Sequence, residues 1–414
     1  MTRSVLISGS GVAGPSLAHW LGRSGYAVTV VERAARLRGS GGVPVDFRGD
    51  QLALLARMGV LGEIQAWQTG MGDQAVVGAD GRRLSTFPSA LFSGDVEIER
   101  GDLARILYSR SKDAAEYVFG DHITALAQAP DGVDVTFARG PARRFDLVVG
   151  ADGLHSTVRR LAFGGEQQYR HDLGLAVAGF SVPNTFGLDH SGLIYNEPGR
   201  LAMVASGRDR ARAAVALMFT GPVPDYGWHD TGAQKRIVAE HFAGAGWQVP
   251  ALLEALSEAP ELYFDRISQI RLDRWSAGRV VLLGDAAWCT GPGGNGTGHA
   301  MFGAYTLAGE LALAGGDHLA AYRNYEQIMR PPVAKSQKQA AGAARFLTPA
   351  TERKIRNRNR TFRILSAPAL RGVFGWLARR TANTGTLRDY PLPGSPARVR
   401  AGQLSPRWTP ADPA

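Results

Sequence analysis

The sequence predicts an α/β fold with a second, β-sheet domain and a helical C-terminal segment. Three observations predict it. Residues 4–33, "SVLISGSGVAGPSLAHWLGRSGYAVTVVER", read as strand, glycine turn, helix and second strand in about thirty residues. Two later stretches, 143–160 and 277–311, each carry a short apolar run into a turn holding an acid. Between them, residues 165–275 contain apolar runs of strand length: 173–182, 191–197, 200–207 and 212–221.

Bulk properties narrow the class. The 414 residues suffice for two or three domains, and 44% hydrophobic with 20% charged residues is a globular composition. Gly 52 and Pro 22 follow no period, which excludes collagen-like and solenoid folds. Cys289 is the single cysteine, so neither a disulfide framework nor a cysteine-rich zinc site can form, and no metal-ligand motif is present. No apolar run reaches the roughly 18 residues that a membrane-spanning helix needs. The N-terminus lacks the apolar core and cleavage site of a signal peptide, so a cytoplasmic location is expected.

The net charge of +10 concentrates in "TERKIRNRNRTFR" (351–363), which reads as the solvated face of a helix. The run has no interleaved aromatics and no nucleic-acid motif accompanies it, so no nucleic-acid partner is expected. Residues 368–380 mix apolar and basic residues at helical spacing, a pattern suited to weak contact with a membrane surface.

In the first unit, Val5, Leu6 and Ile7 form a buried strand, and Gly9, Gly11 and Gly14 supply GxGxxG where the helix begins. Gly9 allows the tight turn, Gly11 lets the backbone approach a pyrophosphate, and Gly14 lets helix and strand pack closely. Free N–H groups at the helix start then face the phosphates. Leu17 and Leu21 form the inward helix face, Gly25 ends it, and strand 27–32 finishes at Glu32. A carboxylate there accepts hydrogen bonds from a ribose diol and repels a 2′-phosphate, which selects FAD or NAD over NADP as the tightly held ligand.

The two later units place Asp152 and Gly153 after strand 147–149, and Gly284 and Asp285 after strand 280–283. A glycine-rich turn and a long helix of small residues follow the second. Each such pair alone is an ordinary turn signal. Taken in order with "IERGDLARIL" (98–107), they resemble the class A flavoprotein monooxygenases, the aromatic hydroxylases with the para-hydroxybenzoate hydroxylase fold, from residue 3 to about 330. Residues 40–60 and the lack of a C-terminal thioredoxin-like domain make the chain similar to the short, TetX-like branch, which includes tetracycline-inactivating and antibiotic-tailoring enzymes.

The resemblance implies a Rossmann-like, GR2-type FAD-binding domain from residues 1–70, 96–165 and 277–330, and a substrate-binding β-sheet domain from 71–95 and 166–276. C-terminal helices over 331–390, started by the prolines 331 and 332, and a flexible tail over 391–414 complete it. It implies that Gly9, Gly11 and Gly14 hold the pyrophosphate, Glu32 the adenosine ribose, and Arg33 the side of the adenine. Arg100 would reach the phosphate and ribitol, Asp152 would serve FAD and the visiting nicotinamide, and Asp285 would bind the ribitol. Gly294, Asn295, Gly296 and Thr297 would lie along the isoalloxazine, with Asp46 near the ring. Trp288, where many members carry histidine, and a glycine loop one residue short are departures that touch Pro292 and Gly293.

The implied activity is an FAD-dependent monooxygenase that uses O2 and transient NADPH or NADH on an aromatic or polyketide-like small molecule, as a monomer or homodimer. A flavin hydroperoxide would carry the oxygen, so no catalytic side chain is expected. No GxSxG elbow, HExxH motif or paired acid competes with that reading. Phe180, Tyr195, Met203, Met218 and Phe219 are candidates to line the substrate cavity, although each also suits plain core packing. His155, His229 and His299 are scattered and suggest no relay; Cys289 has no histidine placed to activate it and reads as an ordinary buried thiol. The alternatives are a flavin-dependent halogenase, whose WxWxIP pattern is absent, and a flavin- or ligand-binding protein without oxygenase activity.

Overall fold

The computed structural model describes residues 2–37, 44–91, 94–227, 230–293, 295–366 and 387–392. Its first sheet has six strands in the order Ser276–Ala277, Val280–Leu282, Leu147–Gly150, Ser4–Ser8, Ala27–Glu32 and Glu116–Phe119. All are parallel except the first, which runs antiparallel to its neighbour. Leu147–Gly150 and Val280–Leu282 are buried at every residue, as continuous apolar runs require when both faces are covered. Ser8 pairs with Val31 on one side and Gly150 on the other, so the first glycine turn and the Asp152 turn leave the same carboxyl edge side by side. Helices Ala13–Arg23 and Gly296–Leu313 start at that edge and pack on each other. A three-stranded antiparallel sheet, Ile123–Ala129, Gly132–Phe137 and Arg143–Phe145, joins this core through Val133, Val135 and Phe145.

The second sheet has seven strands in the order Tyr263–Ile270, Arg170–Pro183, Arg212–Thr220, Arg200–Ser206, Ser191–Glu197, Gln74–Val77 and Arg83–Phe87. The pairing is antiparallel apart from Ser191–Glu197 with Gln74–Val77. Because side chains alternate along a strand, the sheet has two unlike faces. One carries Phe180, Tyr195, Val204, Val215, Leu217, Phe219 and Phe264 and is covered by helices Thr231–His241 and Val249–Glu258. On the other, Tyr263, Gly179, Ala216 and Met203 stand in one row across four neighbouring strands. At its far edge this second face is closed by Phe87, Phe346 and Phe362, with Met203 and Met218 packed against them. A two-stranded ribbon, Pro44–Phe47 with Val96–Glu99, runs into helix Arg100–Ser111.

The C-terminal part corrects one expectation. The helix expected to start at the prolines begins earlier and runs unbroken over His318–Leu347, with Pro331 and Pro332 inside it. Its buried stripe, Tyr322, Tyr325, Met329, Val333, Ser336 and Ala340, continues through the prolines, so packing outweighs the two backbone hydrogen bonds they remove. Helix Glu352–Leu365 turns Ile355, Asn359 and Phe362 inward and leaves Arg353, Lys354, Arg356 and Arg360 exposed, the solvated basic face its sequence implies. Residues 387–392 return to the first sheet's helices: the buried Tyr390 hydroxyl donates to Glu310 Oε1 at 2.8 Å, and its ring lies where a side chain at Gly309 would be, 2.2 Å from a Cβ built there. Leu392 is also buried. The basic apolar stretch 368–380 and the tail from 393 lie outside the described residues.

Phe219 is fully buried against His241, with ring centroids 4.0 Å apart, and against Phe242. Phe219→Ala is expected to lower unfolding free energy by about 3–5 kcal/mol in a denaturant titration.

Candidate functional site

The carboxyl edge of the six-stranded sheet gathers the residues that the motifs single out. Gly9 has φ +107°, and a Cβ there would lie 2.5 Å from Ala151 O and 2.9 Å from Asp152 Cα. A Cβ on Gly14 would lie 1.9 Å from Gly9 O. Both are real glycine requirements, since the first turn is pressed against the Asp152 turn and the helix start against the first turn. Nothing stands within 4 Å of a Cβ built on Gly11, so this side of the turn faces open space. The Ser10 hydroxyl is buried there without a hydrogen-bond partner among the described residues. An open backbone turn with an unspent hydroxyl at a helix N-terminus suits a pyrophosphate.

Glu32 is braced: Oε2 accepts from Ser10 N at 2.7 Å and Oε1 from Ala34 N at 2.9 Å. A carboxylate has about four lone-pair sites, so two remain for a ribose diol. Arg33 is exposed and donates to Thr157 Oγ1 at 3.0 Å, which fixes it beside the helix Thr157–Phe163. Asp152 caps that helix, accepting from Ser156 Oγ at 2.5 Å, Thr157 N at 2.8 Å and Val158 N at 3.1 Å. Burial pushes its carboxyl up and these hydrogen bonds oppose the rise.

Asp285 follows Gly284, whose φ of +66° brings Ala13 and Ala300 within 3.2 and 3.5 Å of a built Cβ; the starts of two long helices thus meet at this acid. The Asp285 carboxylate has no hydrogen-bond partner among the described residues, and neither does the exposed guanidinium of Arg100 at the start of its helix. Asn295 adopts a left-handed conformation, φ +53°, and begins helix Gly296–Leu313 with Gly296 and Thr297 in its first turn, where backbone N–H groups lack helical acceptors. Gly294 lies outside the described residues. Asp46 pairs with Arg48 at 2.7 Å on the ribbon that leads to Arg100. The unpartnered acid, the unpartnered guanidinium and the open helix start fit a polyhydroxylated, anionic dinucleotide.

Two glutamines that no motif announces hold the glycine loop in place. Gln269 Nε2 donates to Thr290 O at 2.9 Å and to Gln337 O at 2.7 Å, and Gln337 Nε2 donates to Ile270 O at 2.9 Å. At the helix start Gln51 accepts from Arg48 N at 3.0 Å and fills the place of a side chain at Gly298, 1.9 Å from a built Cβ. Trp288 does not face the loop. It is buried between Trp275 and Tyr325, at centroid distances of 4.6 and 5.9 Å. Its place in the motif therefore serves the core. Cys289 donates from Sγ to Ser268 O at 3.3 Å, and burial followed by the charge of Asp285 pushes its thiol well up, the opposite of an activated nucleophile.

Of the five cavity candidates, Phe180, Tyr195 and Phe219 lie on the covered face of the seven-stranded sheet, packed against its two helices. The Tyr195 hydroxyl is spent on Glu197 at 2.7 Å. Their strand positions have the wrong parity for the glycine-loop side, where Ile267 and Leu173 approach Gly291. Met203 and Met218 are on the loop side. Sequence alone flagged bulky residues, whereas two rows of the open face are small, Gly179 with Ala216 and Ser181 with Ala214 and Ala205; the row nearer the glycine loop carries Val177, Met218 and Leu201.

An ionic cluster ties the Asp152 turn to the sheet. The fully buried Arg159 donates to Glu166 Oε2 at 2.7 Å and to Ala286 O at 3.0 Å. His155 lies between Glu166 at 3.0 Å and Asp265 at 3.2 Å. His299 is buried on Ser336 at 2.6 Å, and burial lowers it to about 4, so it stays neutral; His229 lies outside the described residues.

A family model described as FAD binding domain matches residues 2–335. The chain belongs to this FAD-binding family. Family relatives include an uncharacterised protein of Mycobacterium tuberculosis, 43% identical over 81% of this chain and 92% of its own length. A flavin-dependent monooxygenase of Legionella longbeachae is 33% identical over 81% and 87%. Among solved structures, tetracycline destructase Tet(55) superposes with a TM-score of 0.80 at 32% identity, covering 94% of this chain and 99% of its own. The match places the glycine turns and Asp285 within an FAD-binding domain.

Asp285→Ala is expected to weaken FAD at least about tenfold, read by flavin fluorescence on dilution, because it removes an acceptor with no protein partner. For His155, burial disfavours the charge, but hydrogen bonds and charge from Asp265 and Glu166 outweigh it and raise the imidazole. A raised folded pKa gives stability below the unfolded value that is lost as pH climbs through the folded one. The stability gap between wild type and His155→Gln is therefore expected to be largest near about pH 6 and to shrink as pH rises above about 7.

Proposed function

We infer that the chain is an FAD-dependent monooxygenase that draws electrons from NADPH or NADH and places one oxygen atom of O2 on an aromatic or polycyclic small molecule. The observation that carries the substrate side is the open sheet face: Gly179, Ala205, Ala214 and Ala216 offer a nearly bare β-surface on the side of the glycine loop. A bare pleated surface accepts a broad, flat apolar molecule that bulky side chains would exclude. The flavin-dependent monooxygenases and the tetracycline destructase among the similar proteins support the same reading and favour antibiotic or secondary-metabolite chemistry over halogenation.

When bound, FAD supplies the redox and oxygen-activating chemistry. The chain's own residues supply placement. The Gly11 turn and Ser10 hold the pyrophosphate, Glu32 holds the adenosine ribose, and Asp285 accepts from the ribityl hydroxyls. The first-turn N–H groups of Gly296 and Thr297, and the guanidinium of Arg100, would supply positive potential to the isoalloxazine. Met203 and Met218 border the substrate, and their flexible thioethers adapt to irregular outlines. The cofactor part comprises residues 1–70, 96–165 and 277–330, and the substrate part 71–95 and 166–276. No helix among the described residues is long and apolar enough to cross a membrane, in keeping with work on a soluble substrate in the cytoplasm.

The purified protein should be yellow, and an aromatic or tetracycline substrate should raise NADPH oxidation and O2 uptake together with product gaining one oxygen atom. Colourless protein that takes up no FAD contradicts the assignment, and chloride or bromide in the product favours the halogenase instead.

A further inference from the structure

Tyr263 is an aromatic residue on the open face of the sheet. It begins the edge strand Tyr263–Ile270, pairs with Gly179 and is 47% exposed, whereas Phe264 beside it is buried with the helices. A Cβ built on Gly179 would lie 3.8 Å from Tyr263 Cβ and 4.0 Å from its Cδ1, so the ring leans over the bare glycine. The row continues through Ala216 to Met203, leaving the ring as one wall of the open surface and Met203 as the other. Burial pushes the phenol above its ordinary range, Asp265 pushes the same way, Arg100 opposes, and Cys289 and Asp285 add smaller upward pushes. The hydroxyl thus stays protonated and is a hydrogen-bond donor on the open face.

We propose that Tyr263 is the substrate-positioning wall of the site: its ring packs on the aromatic plane of a substrate laid over Gly179 and Ala216, and its hydroxyl donates to a substrate oxygen, which fixes the carbon turned toward the flavin. This rests on the oxygenase reading above. Bulk and hydroxyl make separable contributions. The ring supplies stacking and a boundary, and the hydroxyl supplies orientation.

The test uses the FAD-loaded full chain as wild type, Tyr263→Phe, Tyr263→Leu and Tyr263→Ala, with tetracycline and 2-naphthol as probes. Probe binding is read from the flavin absorption spectrum, coupling from hydrogen peroxide formed per NADPH oxidised, and nicotinamide use from anaerobic flavin reduction. Tyr263→Ala is expected to weaken probe binding about tenfold and to raise peroxide per NADPH. Tyr263→Phe is expected to bind within about threefold of wild type while still releasing more peroxide, because orientation is lost and stacking is kept. Should Tyr263→Ala fail to retain FAD, Tyr263→Leu carries the same comparison with most of the bulk in place.

Binding and coupling equal to wild type in these variants overturn the proposal. So does a loss confined to the NADPH dependence of flavin reduction, which assigns the ring to the nicotinamide. A yellow wild-type protein whose flavin responds to neither probe rejects the flat-aromatic reading itself, and the inference falls with it.

Discussion

Backbone contact without side chains is the constraint on which the site depends. Three turns that are far apart in sequence, around Gly9, Asp152 and Gly284, leave neighbouring parallel strands at one edge. They fit together only because Gly9 and Gly14 carry no Cβ: one would enter the Ala151 carbonyl and the other the Gly9 carbonyl. Parallel pairing sets this edge, since strands that point the same way deliver their turns to the same place. Once the turns touch, the first helix, the Asp285 helix and the long helix from Gly296 all begin at one edge of the sheet, and the open N–H groups at their starts define an anion-tolerant rim.

The seven-stranded sheet answers a different demand. Its covered face is a conventional core of Phe180, Val215, Leu217 and Phe219 against two helices. Its other face carries rows of small residues flanked by Tyr263 on one side and methionines on the other, the surface on which the proposed substrate site rests. The glutamine clasp of Gln269 and Gln337 holds the glycine loop to the sheet's edge strand and to the long C-terminal helix, and the Arg159, Glu166, His155 and Asp265 cluster holds the Asp152 turn to that same strand. Two independent polar ties thus fix the distance between the cofactor side and the substrate side. Buried polar groups are worth their desolvation here because every tie spans the two layers.

What could be read from the sequence follows from how local each signal is. The first unit was legible as strand, glycine turn, helix and strand, since its signals sit within one continuous stretch and Gly9 and Gly14 each have a distinct steric reason. Strands of the second sheet were legible as apolar runs, but the choice of Phe180, Tyr195 and Phe219 as cavity residues was not sound: a run apolar on both parities does not say which parity faces the ligand. Tyr263 could have been found from alternation with Phe264 once the sheet's covered face was known, and not before. Gln269 and Gln337 act through backbone groups of distant segments and leave no local signal. The prolines at 331 and 332 misled for a related reason, because a long buried stripe supplied by tertiary contacts overrode a local breaker.

On this reading the carboxyl edge of the first sheet and the bare face of the second enclose one FAD-dependent site. A crystal structure of the protein with FAD tests it most directly. The expected structure has the pyrophosphate against Gly11 and the Ser10 hydroxyl, the adenosine ribose on Glu32, the ribityl chain on Asp285, and the isoalloxazine between the Gly296 helix start and the row from Tyr263 to Met203. FAD bound with its ring away from that row, or a pyrophosphate held elsewhere than the Gly11 turn, would contradict it.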